Sequence, residues 1–398
     1  MRSAAITPTK IEEPAVSAPL RVLHVTPTFY PATYWGGPIF STRAVCDGVA
    51  GEPGIAVRVL TTDAAGPRPS DRVAERRTTF PAGYDVIYAR RVAGRDVAPG
   101  LLARLLPAVA KADIVHLTAT YSFPTLPTLA ACRALGKPVV WSPRGAIQAR
   151  LEWSEAVSGA KVRFEQAARM LAPQRTVLHV TAPVEAELTA RAMPGLTVET
   201  IPNSVEIPGT PSTFPRSAPG ARPLRLMFLS RVHEKKGCDL LIEALAGVPD
   251  ATLDIYGYGE PDYVAALRQR AGTCGVADRV TFHGHVDGAA RDAAYRAADL
   301  FVLPSHSENF GNVIAEALAF AVPVVTTTAT PWEEIARRGC GAWVAPEAGA
   351  VRDAIARLTD ADLAAMGQRG RAFMEAAFSS TVTARAMAAL YRRLAGSC

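Results

Sequence analysis

Short apolar runs bounded by polar, Gly or Pro residues alternate along the chain with stretches whose apolar positions recur every three to four residues. The runs at 21–27, 57–62, 85–90, 113–118, 138–143 and 177–182 predict strands. Their continuous apolar character suits a sheet covered on both faces. Helical patterns lie between them, from Ser41 to Val49, over 101–111, and along the amphipathic stretch 146–171. A second series repeats the rhythm, with strands at 224–230, 251–257, 280–284, 299–305 and 323–328 and helices at 238–245, 261–272 and 310–320. Strand and helix alternate in both series, which predicts an α/β fold with mostly parallel sheets.

Between the series, residues 208–223 contain five prolines and can form neither a helix interior nor a central strand. The predicted organisation is a disordered tail over 1–19, a first domain over 20–205, a linker over 206–223, a second domain over 224–381 and a terminal helix over 382–398. A chain of 398 residues is too long for a single core, consistent with two domains. Two Rossmann-like halves facing each other form a cleft, and ligands in such sheets sit beyond the carboxyl ends of the strands. No apolar run is long enough to span a bilayer, and the tail, with Glu12 and Glu13, lacks the pattern of a cleaved secretory signal.

Charge adds an asymmetry. Residues 1–205 hold 23 Lys and Arg against 16 Asp and Glu, while residues 206–398 hold 20 against 21, so the net +6 arises in the first half. A basic half suits phosphates or an anionic membrane surface, or is simply a solvated Arg-rich exterior. Nucleic acid is not an expected partner, because the basic residues are dispersed and no aromatic cluster accompanies them. The six cysteines form no C-x-x-C pair, which predicts free thiols in a reducing cytoplasm.

The sharpest chemical signal is SENFGNVIAEAL, 307–318. Glu308 follows a predicted strand, Glu316 lies eight residues on inside a helix, and Phe310, Gly311 and Asn312 occupy that helix's N-terminus. Free N–H groups and the helix dipole there suit a diphosphate, and flanking carboxylates suit sugar hydroxyls. In SRVHEKKG, Arg231 ends a strand, with Lys236 and Gly237 just before a helix. An Arg and a Lys in that arrangement can clamp a leaving group that gains charge. Gly36 and Gly37 lie between the first strand and helix, where backbone can meet phosphate or merely turn. YGYGE and FHGHV leave strands of the second series and offer Gly257, Tyr258, Gly259, His283, Gly284, His285 and Val286 to an aromatic base. No carboxylate or thiol stands at ligand spacing from the two histidines, so no metal is expected. His116 and Arg144 end strands of the first half. The former is either catalytic or structural, and the latter is a candidate for a phosphate or acidic acceptor.

In this order the segments resemble the family 4 retaining glycosyltransferases of GT-B fold, of the bacterial polysaccharide type, over roughly residues 20–395. The E-x7-E element matches Glu308 and Glu316, R-x4-K-G matches Arg231, Lys236 and Gly237, G-x-G matches Gly257 to Gly259, and G-x-V matches Gly284 to Val286. The I-P-N-G-V pattern appears as Ile201 to Val205, with Ser204 replacing Gly. The last helix resembles one that crosses back to the first domain. Some relatives carry a catalytic-site histidine two residues beyond His116, where this chain has Thr118.

The resemblance implies a retaining transfer of a hexose from a UDP- or GDP-linked sugar to a glycan acceptor, lipid-linked or free, with no metal or other cofactor. It assigns Arg231 and Lys236 to the diphosphate, Glu316 to the ribose and Glu308 to the reacting sugar. Amides of Phe310, Gly311 and Asn312 would hold sugar and phosphate. Gly257, Tyr258, His285 and Val286 would frame the base, with Gly36 and Gly37 closing from the other domain. Expected roles lie in exopolysaccharide or lipopolysaccharide synthesis, in the cytoplasm or peripheral to the inner membrane face. The helix at 101–111, with Leu101, Leu102, Leu105, Leu106 and Val109 beside Arg104 and Lys111, is a membrane contact or plain core. A nucleotide-sugar epimerase and a non-catalytic nucleotide-sugar-binding partner are the alternatives. A nicotinamide dehydrogenase is not, since no G-x-G-x-x-G opens the first helix and no acidic residue is read at the end of the second strand.

Overall fold

The computed structural model describes residues 18–147, 159–209 and 223–396. The expected tail, part of the stretch 146–171, most of the linker and the last two residues lie outside them. The first sheet contains β1 (Leu20–Val25), β2 (Ile55–Thr62), β3 (Arg77–Thr79), β4 (Asp85–Ala89), β5 (Ile114–Thr118), β6 (Val139–Ser142), β7 (Thr176–Val180) and β8 (Thr197–Thr200). Their spatial order is β3-β4-β2-β1-β5-β6-β7-β8, parallel except for β3 against β4. The second sheet contains β9 (Leu224–Leu229), β10 (Ala251–Tyr256), β11 (Val280–Gly284), β12 (Leu300–Leu303), β13 (Val324–Thr327) and β14 (Gly341–Val344), all parallel, in the order β11-β10-β9-β12-β13-β14. Strand order reverses at β1 in one sheet and at β9 in the other. The crevice for a ligand therefore opens beside these two strands.

Apolar strands covered on both faces explain the cores. Leu226, Phe228, Ile255, Phe301, Val302 and Val324 pack with helix residues Leu241 and Leu318 in the second domain. Val205 belongs to that core as well, and its N–H donates to the Phe378 carbonyl at 2.8 Å. The last helix, Ser380–Gly396, then returns to the first domain, where Met387, Leu390 and Tyr391 pack with Val22, Val45 and Val49.

Some element boundaries differ from the sequence pattern for local reasons. The first helix spans Gly37–Ala50, four residues longer at its start than the apolar period suggests, because Gly36 caps it and a proline occupies its first turn. The helix read over 310–320 spans Asn312–Ala319, since Gly311 is left-handed and serves as its cap. In the helix Pro99–Lys111, Leu101, Leu105 and Val109 are core, whereas Leu102, Leu106, Arg104 and Lys111 are exposed. Its leucines thus divide between the two expectations. An acidic residue does follow the second strand, contrary to the sequence reading. Asp63 is buried and accepts the Arg91 N–H at 2.6 Å, so its carboxylate closes a loop rather than facing the crevice.

Candidate active site

The loops that leave β9 and β12 adjoin because these strands pair across the switch point. This brings together Lys236 and Glu308, which form an ion pair with both side chains mostly buried. Glu308 also accepts a hydrogen bond from the Ser305 hydroxyl at 3.1 Å. Gly237 behind the lysine has φ +67°, and a Cβ there would run into the Pro304 carbonyl oxygen. The R-x4-K-G spacing is thus a packing requirement that fixes where the ammonium stands. Arg231, at the start of the same loop, is exposed and has no ion-pair partner among the described residues.

Downstream of Glu308, the turn is shaped by Trp332, whose indole N–H donates to the Phe310 carbonyl. The Phe310 ring itself is buried against Trp332 and Phe378. The helix Asn312–Ala319 begins here, and the helix Gly37–Ala50 of the first domain begins opposite it. The two starts nearly touch, since a Cβ on Gly37 would lie 3.2 Å from Asn312 Nδ2. Two positive helix ends therefore converge from different domains beside a lysine, a strong arrangement for an anion. Asn312 Oδ1 accepts from Asn203 Nδ2 at 3.0 Å, so this side chain ties the domains together.

Glu316 lies one turn into the helix, with its carboxyl pushed up by burial. Tyr295 donates its hydroxyl to Glu316 Oε2 at 3.0 Å, and Arg291 stands 4.0 Å away. On the far side, Gly257 N–H donates to Gly284 O at 2.7 Å, joining the two glycine-rich strand ends. Tyr258 stacks on His285 at 4.7 Å between ring centres, and Tyr256 stacks on His283 at 4.5 Å. Val286 is half-buried beside them. Sheet pairing brings Asp254 to 2.6 Å from His283 Nε2, and Asp287, two residues along the chain, lies 3.7 Å from His285 Nε2. A cavity of about 520 Å³ is lined by Gly257, Tyr258, Gly259, Phe282, His283 and Gly284, among others.

One of the two first-domain candidates stands elsewhere than the sequence suggested. His116 does not face the crevice; it is fully buried, and both its nitrogens are hydrogen-bonded. The network has one proton order. His179 Nε2 must donate to the Ile201 carbonyl at 2.8 Å, so its Nδ1 accepts from the Ser142 hydroxyl at 2.7 Å. Ser142 then accepts from His116 Nε2 at 2.7 Å, and His116 Nδ1 accepts from the Tyr391 hydroxyl at 2.5 Å. Burial pushes His24 and His179 down to about 3 and His116 well below its ordinary value, so the rings are neutral, as this order requires. His116 is thus a structural link to the terminal helix. Arg144, the candidate for a substrate anion, donates from Nη1 to Asn203 Oδ1 at 2.7 Å. Its Nε and Nη2 are buried without a partner among the described residues.

Sequence reading missed Ser305, Trp332, Tyr295 and Arg291, and it named Asn203 in the I-P-N-G-V match without a role. Trp332, Tyr295 and Arg291 act through partners distant in sequence, whereas Ser305 reaches Glu308 three residues on.

Residues 223–361 match the model of the family described as glycosyl transferases group 1. D-inositol 3-phosphate glycosyltransferase of Xylanimonas cellulosilytica is 39% identical over 138 residues, which cover 33% of this chain and 33% of that protein. Phosphatidyl-myo-inositol mannosyltransferase of Mycobacterium leprae is 34% identical over 172 residues, 41% of this chain and 44% of the relative. The aligned part thus spans less than half the length of these relatives. Sucrose-phosphate synthase of Thermosynechococcus elongatus has a similar structure, with a TM-score of 0.72 at 22% identity over 95% of this chain and 100% of its own. Anabaena HepE, solved with UDP-glucose, gives 0.69 at 19% identity over 93% and 98%. At these identities the structural likeness is one of fold. The second domain thus matches a glycosyl transferase family model, and the chain as a whole shares with these solved structures a fold of two facing Rossmann-like domains.

Proposed function

We propose that this chain transfers a hexose, with retention of configuration and without a metal, from a UDP- or GDP-linked sugar to a glycan acceptor, lipid-linked or free. The observation that carries the reading is the meeting of two helix N-termini, at Gly37 and Asn312, beside the Lys236–Glu308 pair and the exposed Arg231. A pyrophosphate placed there would be met by cations and backbone N–H groups as the bond to the sugar breaks. The departing phosphate would take the acceptor proton on the same face, so no protein nucleophile is needed. Glu316 would hold the ribose hydroxyls, and the tyrosine–histidine stacks would border the base. Exposed Leu102 and Leu106 beside Arg104 would let the basic first domain rest on an anionic cytoplasmic membrane face; flotation with anionic vesicles tests that contact.

The test is a panel of UDP- and GDP-sugars incubated with glycan acceptors in the presence of EDTA, with the product's anomeric configuration read by NMR. Transfer with retained configuration is expected. Isomerised donor in the absence of acceptor would identify an epimerase instead. Nucleotide binding with no transfer to any acceptor, unchanged by Glu308→Ala, would leave only a binding partner.

A further inference from the structure

Asn309 stands between Glu308 and Phe310, and its side chain leaves the second domain altogether. Glu308 turns toward Lys236 within its own domain, whereas Asn309 enters the first. Its Nδ2 donates to Thr181 Oγ1 at 2.9 Å. Its side chain lies over Gly145, where a Cβ would stand 2.7 Å from Asn309 Cγ and 2.8 Å from its Cβ and Oδ1. Only a glycine leaves room for that seat.

One buried carboxylate builds both halves of the seat. Glu185 is 1% exposed; its Oε1 accepts the Gly145 N–H at 2.7 Å. Its Oε2 accepts the Thr181 N–H at 2.7 Å and the Thr181 hydroxyl at 2.9 Å. Because the Thr181 proton points at Glu185, the oxygen's lone pairs are left to accept from Asn309. The seat therefore has its hydrogen-bond direction set from within the first domain. Asn309 Oδ1 is buried without a partner among the described residues, so the asparagine is held by one hydrogen bond and by shape. A contact of that strength can form and release. Three residues on, Asn312 is pinned by Asn203, so both ends of the turn are fastened to the first domain.

We propose that Asn309 is a positioning residue: seating it on Gly145 and Thr181 fixes the Glu308 turn in its working place only when the two domains are closed. The inference rests on the transferase reading above. Arg231, Lys236 and Glu316 belong to the second domain and only the Gly37 helix start to the first, so releasing the seat costs nucleotide binding little and slows turnover.

The test compares Asn309→Ala, Thr181→Val and the double variant. Each single change is expected to lower kcat about tenfold, the worth of one neutral hydrogen bond. Dissociation constants for UDP and GDP are expected to stay within about twofold, and the double variant to be no slower than either single one. A loss of about a hundredfold in the double variant, or nucleotide affinity falling in step with kcat, overturns the proposal. A spin-label pair with one label on each domain provides a readout that needs no turnover. With UDP or GDP bound, a narrow distance distribution in the unsubstituted chain that broadens in Asn309→Ala supports the seat; equal distributions refute it. If no sugar is transferred by any form of the protein, the transferase reading fails while the distances still decide the seat.

Discussion

The two domains share a strand–helix rhythm and place polar residues at the ends of their strands, yet they use them in opposite ways. In the first domain, His24, His116 and His179 turn into the interior, stay neutral and bond to one another's neighbours, to Cys46 and to Tyr391 of the terminal helix. In the second domain, Arg231 is exposed, Lys236 pairs with Glu308, and Glu316 meets Tyr295 and Arg291, all in the loops and helix beside the gap. The same residue types at strand ends thus gather beside the gap in one domain and, in the histidines of the other, serve as structural bolts.

The largest effect that would break this contrast concerns Lys236. Lys236→Ala is expected to lower kcat about a thousandfold, as removal of a charge-stabilising donor does, and to cost about 3 kcal/mol of stability because Glu308 loses its mostly buried partner. A large stability loss with little change in turnover would make the lysine a bolt as well.

Acidification sharpens the comparison. Each buried histidine of the first domain has its folded pKa below the ordinary value near 6.5, so the unfolded chain binds more protons once the pH falls below that value. The stability they confer is full above about pH 6.5 and is lost as pH falls toward 3. For His24 and His179 together, the loss from pH 6.5 to 5 is on the order of 3 kcal/mol. Glu316 carries the opposite sign. Its raised pKa disfavours the folded state as pH rises above the ordinary carboxylate range, so acidification relieves it. Hydrogen exchange at pH 5 should therefore show the first sheet losing protection before the second. Equal loss in both would remove the distinction.

A smaller effect is expected for His116→Phe, which leaves the Ser142 and Tyr391 hydroxyls without their buried partner. It should cost about 3 kcal/mol of stability by urea titration while turnover per folded molecule is kept. Lost turnover at full stability would return His116 to the chemistry. The smallest concerns Tyr295→Phe, which removes one hydrogen bond to Glu316. It should weaken nucleoside diphosphate binding about fivefold by calorimetry, with no change for the free base.

Much of the second domain's site was legible beforehand because its residues lie within short segments, each spanning one strand end and one helix start. Arg231 to Gly237 and Glu308 to Glu316 can be read that way. The first domain was less transparent. His116 and Arg144 looked like Arg231 in sequence, each ending an apolar strand, but they bond to partners 26 to 275 residues away. The helix at 99–111 illustrates the same difficulty, since its period named the buried leucines and the exposed pair without saying which face was which.

By itself the chain's apolar rhythm determined two parallel α/β domains and a proline-rich connection, because strand and helix periods are local properties of the backbone. Tertiary structure alone decided which charges remain at the gap, which histidines vanish into the core and where Asn309 is seated. Those outcomes depend on whether a partner arrives from a distant strand, and the order of strands in a sheet is not written in the spacing of its residues.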